Sequence, residues 1–225
     1  MTLRTHPDDL TRILHRRFFS RGNEAHDSKA YADRTSCNPP LLGSCPHGAG
    51  ITSTPHSAPL AAVIGPGFSN PVQFNNIIRD NSAWFLTGAQ GPAPLDLAGV
   101  IDLEVVGGNG ATMTPRYSLL TAPYGTGANN LTDPPQFLNA VGLSFSALPL
   151  LGAPNFIGVE ITTVPGDDQG NFHLTPSSPA INAGTSLSSG GFGPPNHDFD
   201  GQGRPWPLSG PMANRYDIGA DEVRP

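Results

Sequence analysis

Gly170-Asn171-Phe172-His173-Leu174-Thr175-Pro176-Ser177-Ser178-Pro179-Ala180-Ile181-Asn182-Ala183-Gly184 opens the stretch on which the fold turns. It continues through Asp198-Phe199-Asp200-Gly201-Gln202-Gly203-Arg204-Pro205 and closes at Tyr216-Asp217-Ile218-Gly219-Ala220-Asp221-Glu222. Phe172 and Leu174 alternate with His173 and Thr175, so a strand here sends apolar side chains one way and polar ones the other. Pro176 and Pro179 then stop further strand pairing. Ala180, Ile181 and Ala183 are small or apolar and suit a segment lying over the end of a hydrophobic body. Gly184 is expected to supply a positive φ just after Asn182. The stretch therefore predicts an end-cap that shields a core which would otherwise be open.

Two groups of candidate residues lie in it. Asp198, Asp200 and Gln202 alternate with Phe199 and Gly201 in the manner of a calcium loop, but the closing bidentate Glu is missing and Gln202 stands where a third acid would be. The competing expectation is a turn whose Asp side chains accept backbone N–H groups. Arg204, held between Gly203 and Pro205, is expected to pair with Asp217 or Glu222 and pin the tail to the body. Arg204, Asp217, Glu222 and Gly184 are thus the expected structural fastenings of the cap.

Working outward, composition sets the class. Gly (27) and Pro (25) together make roughly a quarter of the 225 residues, well above ordinary usage. Hydrophobic residues at 37%, with 11 Phe, still provide apolar surface to bury. Short strands joined by many turns reconcile the two, and long helices are excluded because Gly and Pro interrupt nearly every helical window. Charged residues are sparse at 13% and the net charge is −6. Lys29 is the single lysine, and Arg4, Arg12, Arg16, Arg17 and Arg21 crowd the start. The remainder is acidic, which argues against a nucleic-acid partner. Neither a transmembrane run nor a signal-peptide pattern is present.

Residues 1–58 are polar with scattered Pro and Gly and are expected to be an irregular or loosely attached leader; residues 59–225 are expected to hold the ordered body. Cys37 and Cys45 fit a small disulfide loop or two free thiols, and a zinc site with His47 and His56 matches no familiar spacing. Within the body, the apolar run 60–64 before Gly65-Pro66-Gly67 predicts a strand and turn. Further strands are expected across 72–81, 100–106, 116–120 and 133–138, each bounded by Gly or Asn. Residues 140–168 form a Pro- and Leu-rich insertion. Short strands with Gly/Asn turns and no helices between them suit a parallel β-solenoid. Pattern alone does not separate that from an antiparallel β-sandwich.

The run Asn75-Asn76-Ile77-Ile78-Arg79-Asp80-Asn81 resembles a rung of right-handed parallel β-helix proteins. Arg116-Tyr117-Ser118-Leu119-Leu120, Asn129-Asn130, Asp133-Pro134-Pro135-Gln136-Phe137 and the closing motifs follow in the same order. Together they resemble the C-terminal part of the choice-of-anchor Q domain proteins, pectate-lyase-like bacterial β-helix proteins, over residues 74–222. The resemblance implies an all-β chain, a right-handed parallel β-helix of few rungs with a C-terminal cap. It also implies an extracellular or cell-surface setting. Fewer rungs than the family usually has suggest a shortened relative.

Catalytic candidates are weak. Asp167-Asp168 is similar to the paired acids of β-helix glycoside hydrolases, but the usual His and Arg/Lys partners are missing. The expected function is a non-catalytic surface module, adhesion-like or contacting a polysaccharide or cell-surface glycan, with no cofactor other than a candidate calcium ion. The alternatives are a fragment of a polysaccharide lyase or glycoside hydrolase, and a truncated remnant without independent function. Self-association through an exposed β-helix end is also expected.

Overall fold

A computed structural model describes residues 19–20, 48, 50–65, 67–86, 95–106, 110–140, 143–149, 157–163, 170–186, 193–206 and 215–224. The expectations for Cys37, Cys45, His47, Asp167 and Asp168 lie outside the described residues. The strands are β1 (Phe19–Ser20), β2 (Ile51–Ser53), β3 (Ile77–Ile78), β4 (Ser82–Leu86), β5 (Leu95–Val100), β6 (Leu103–Val105), β7 (Leu119–Leu120), β8 (Phe137–Asn139), β9 (Leu143–Pro149), β10 (Ile157–Thr163) and β11 (Asn171–Leu174). Among the described residues there is one helix, α1 (Ala58–Ile64), between β2 and β3.

The expected all-β, right-handed parallel β-helix is not the architecture found. Among the described residues, parallel pairing runs through β1-β3-β7 and β2-β6, ladders of two or three residues, and the single bridges Phe74↔Arg116 and Leu119↔Leu131. The other three sheets, β4-β5, β8-β11 and β9-β10, are antiparallel pairs. Among the described residues no sheet continues as a coil. The physical reason lies in the turns. Asn75, Asp80, Tyr117, Asn129, Gln136 and Asn182 all hold positive φ, so the chain reverses after one or two extended residues. A strand of two residues presents too few backbone groups to carry a long ladder. The insertion at 140–168 supplies β9 and β10, seven residues each, which pair with one another from Leu143↔Thr163 to Pro149↔Ile157.

The run 60–64 is also not a strand. Pro59 falls in the first turn of α1, where its fixed φ favours helix and its missing N–H costs nothing. Ala and Leu are good helix formers. Gly65, at φ 84, ends the helix by donating its N–H to the Ala61 carbonyl. None of its residues is buried.

The short parallel ladder is the wall between two cores. Ile77 and Leu119 face one cluster with Leu174, Ala180 and Ile218. Their neighbours Ile78 and Leu120 face the other with Leu103 and Met113. Strand alternation makes this division. The first cluster is where the closing stretch matters, because Leu174, Ala180 and Ile218 all come from it. Leu174 and Ile218 each contribute about 1.5–3 kcal/mol on burial, and Ala180 about 1 kcal/mol or less.

Polar side chains replace the ladders that the short strands cannot make. Asn75 donates Nδ2 to the Thr185 carbonyl at 2.8 Å and accepts the Thr185 N–H at 2.8 Å, an imitation of strand pairing across 110 residues of sequence. Arg79 is buried and donates Nη1 to the carbonyls of Leu120, Thr132 and Asp133. Asp102 accepts from Asn81 and from the Thr121 N–H. No helix among the described residues is long and apolar enough to cross a membrane.

Candidate functional site

The closing stretch carries two adjoining groups of polar side chains, one buried and one at the surface. The buried group centres on Arg204. Its Nε lies 2.7 Å from Glu222 Oε2, and both side chains have 0% exposure. Nη1 donates to the Gly219 carbonyl at 3.0 Å and Nη2 to the Asp217 carbonyl at 2.7 Å. The Tyr216 ring lies beneath the guanidinium, 5.3 Å from Cζ. Arg204 thus meets Glu222 through one nitrogen and the main chain through the other two, rather than gripping a carboxylate with both arms of its fork. Glu222 is saturated in turn: Oε1 accepts the Trp206 N–H, and Oε2 also accepts the Asp217 N–H.

The Asp217 carboxylate does not touch Arg204 through a hydrogen bond in this arrangement. It accepts the Asn182 N–H at 2.6 Å and the Val223 N–H at 2.8 Å, tying three parts of the stretch together. Burial pushes its pKa up to about 6; the two N–H groups hold it down, the Glu222 charge raises it and Arg204 lowers it. Gly184 plays a part different from the one expected. Asn182 itself takes the positive φ, 55°. A Cβ on Gly184 would stand 2.8 Å from the Tyr216 carbonyl and 2.9 Å from Asn75 Oδ1, so glycine is needed there for close approach.

At the surface, the 198–202 loop is a turn built on one carboxylate oxygen. Asp198 Oδ1 accepts the N–H groups of Asp200 and Gln202, at 3.0 and 2.7 Å. Gln202 therefore meets Asp198 through its main chain, as the turn expected in competition with a calcium loop requires. Asp198 Oδ2 is buried and has no hydrogen-bond partner. Asp200 points instead to His173, with Oδ2 2.7 Å from Nε2. Asp221, buried behind them, accepts the Leu174 N–H through Oδ2 at 2.8 Å. One ligand atom from each of His173, Asp200 and Asp221 can be chosen so that all three lie within 4.8 Å of one another. The half-exposed Phe199 ring stacks at a tilt on His173, with centroids 4.7 Å apart.

Sequence reasoning named Asp198 and Asp200 but not His173 or Asp221 as their neighbours. The alternation in β11 places His173 on the polar face, which is the available signal. Asp221 carries no such signal, because its place depends on the tail crossing β11. Arg79 was also passed over, since nothing local distinguishes a buried arginine from a solvated one. No family model matches the chain, and no curated protein or solved structure matches it.

Proposed function

We propose that this chain is a non-catalytic binding module of an extracellular or cell-surface protein, contacting carbohydrate through the face that carries His173, Phe199 and Asp200. The observation that carries the proposal is a division of labour in the closing stretch. Arg204, Asp217, Glu222 and one oxygen each of Asp198 and Asp221 are taken up by the chain's own backbone. The Phe199 ring stays half-exposed, and the side chains of His173 and Asp200, bonded to each other, keep 38% and 36% of their surface exposed. A ring face offers apolar surface to the C–H face of a sugar, and the Asp200 carboxylate beside it offers acceptors to hydroxyls. The resemblance of residues 74–222 to choice-of-anchor Q proteins supports the setting, and the low cation content agrees with a partner other than nucleic acid.

A glycan array, followed by lyase and hydrolase assays on acidic polysaccharides with and without calcium, tests this. Binding that is lost in Phe199→Ala, without cleavage, is the expected result. Cleavage by the isolated chain would overturn the non-catalytic reading. Glycan binding unaffected by Phe199→Ala would remove this face from it.

A further inference from the structure

We infer that His173, Asp200 and Asp221 form a site for one divalent transition-metal ion of the zinc class. Three separate segments bring the ligands together: β11, the 198–202 turn and the tail. Asp221 is fixed from behind by the Leu174 N–H, while His173 and Asp200 keep 38% and 36% of their side-chain surface open. One side of the site is therefore rigid and the other admits an ion. Zinc takes nitrogen and carboxylate oxygen at about 2.0–2.2 Å. Ligand atoms within 4.8 Å of one another must draw to about 3.4 Å apart to share such an ion.

The hydrogen bonding of His173 points to a positive charge at the same place. Asn171 Oδ1 accepts the His173 backbone N–H at 3.1 Å, which identifies that atom as the amide oxygen. The same oxygen lies 2.5 Å from Nδ1, so Nδ1 carries the hydrogen. A neutral imidazole then turns the lone pair of Nε2 toward Asp200 Oδ2, 2.7 Å away. At that distance the two atoms are joined through a hydrogen; a metal ion at this place takes the position of that hydrogen and parts them to about 3.4 Å. An Nδ1–H held by a neighbouring oxygen is the outer-shell arrangement of a metal-ligating histidine.

Asp198 lies in the same turn as Asp200 and is over nine-tenths buried, and its Oδ2 has no hydrogen-bond donor among the described residues. A dication at Asp200 sets positive charge beside that turn. One imidazole among carboxylates favours zinc-class ions over calcium, which takes six to eight oxygens. The site shares His173 and Asp200 with the proposed carbohydrate face but stands without it, because metal binding is measured with no glycan present.

The full chain is titrated with Zn2+, Ca2+ and Co2+ by calorimetry and thermal melting. One Zn2+ per chain with a raised melting temperature is expected, and no shift with equimolar Ca2+. Asp200→Asn and His173→Gln should abolish the shift; Asp200 is exposed, so its variant serves even if His173→Gln folds poorly. Asn171→Ala should weaken binding about 10- to 100-fold. No Zn2+ binding by the native chain, or unchanged binding in Asp200→Asn, overturns the site. A cobalt spectrum with thiolate charge-transfer bands would place the ion on Cys37 and Cys45 and overturn it equally.

Discussion

Replacing Arg204 with alanine should be the most damaging single change in the closing stretch. The guanidinium and the Glu222 carboxylate are both at 0% exposure. Removing one member of a buried ion pair leaves the other as an uncompensated charge, at a cost of about 3–5 kcal/mol. Two carbonyls, of Gly219 and Asp217, also lose their donors. A chain of this size has a total stability of roughly 5–15 kcal/mol and loses about 2–4 °C of melting temperature per kcal/mol. A fall of about 6–20 °C is therefore expected in a circular-dichroism melt. Arg204→Lys should lose less, because one ammonium can still meet Glu222 but cannot reach both carbonyls as well. Combining Arg204→Met with Glu222→Gln should cost less than the sum of the single changes, since neither charge is then stranded. A melting temperature within 1–2 °C of the native chain for Arg204→Ala, to the precision this scaling allows, would refute the reasoning.

Asp217 predicts an unusual pH dependence. Its pKa rises from 3.8 to about 6 on folding, so the folded chain binds more protons between those values and the contribution to stability falls as pH rises. The stabilisation is fully present below about pH 4 and lost above about pH 6, a change of about 3 kcal/mol. The gap in urea stability between native chain and Asp217→Asn should narrow by that amount from pH 4 to pH 7; a constant gap would refute it. Gly184→Ala should cost about 1–3 kcal/mol through its clash with the Tyr216 carbonyl and Asn75 Oδ1, read as a lowered denaturation midpoint. An unchanged midpoint would mean that the two segments separate freely. Asn75→Ala removes both of its side-chain hydrogen bonds to Thr185, which predicts about 1–3 kcal/mol of lost stability. Hydrogen exchange should quicken at Thr185 in that variant, and unaltered protection there would contradict the pairing.

The parts legible in the sequence are those governed by local chemistry. Alternation in 171–174 put Leu174 inward, and Ala180, Ile181 and Ala183 could be recognised as covering the core from their size, while Ile218, also buried there, was not singled out. An arginine clasped between Gly203 and Pro205, with two carboxylates downstream, suggested an ion pair, and Arg204 meets Glu222. What failed was inference from strand signals to topology. The same Asn-bounded apolar pair, Ile77-Ile78, suits a rung of a coil or a two-residue ladder, and only the partners of the following strands separate them. The helix at Ala58–Ile64 was hidden because a five-residue apolar run fits either period. Gly184 was read for its φ when its neighbour Asn182 takes the positive φ, a distinction that depends on where Tyr216 and Asn75 arrive from afar. His173 and Asp221 come together only through such a crossing.

The same crossings explain why a chain so poor in charge buries several of the charges it has. Ladders of two or three residues leave many main-chain groups at turns without a strand partner, and a buried group without a partner is costly. A hydrophobic side chain does nothing for an orphaned carbonyl. A guanidinium does, because its five N–H groups radiate in a plane. Arg79 gathers the carbonyls of Leu120, Thr132 and Asp133 beneath the parallel ladder, and Arg204 gathers those of Gly219 and Asp217 beneath the tail. Carboxylates do the converse: Asp102, Asp198, Asp217 and Glu222 each accept two or more hydrogen bonds, including at least one from a backbone N–H. In this fold, burial of a charged group marks a junction between irregular segments before it marks chemistry. His173 and Asp200 depart from that rule, because their mutual contact lies at the surface and relieves no backbone group. That departure is what makes them the pair to test for a ligand.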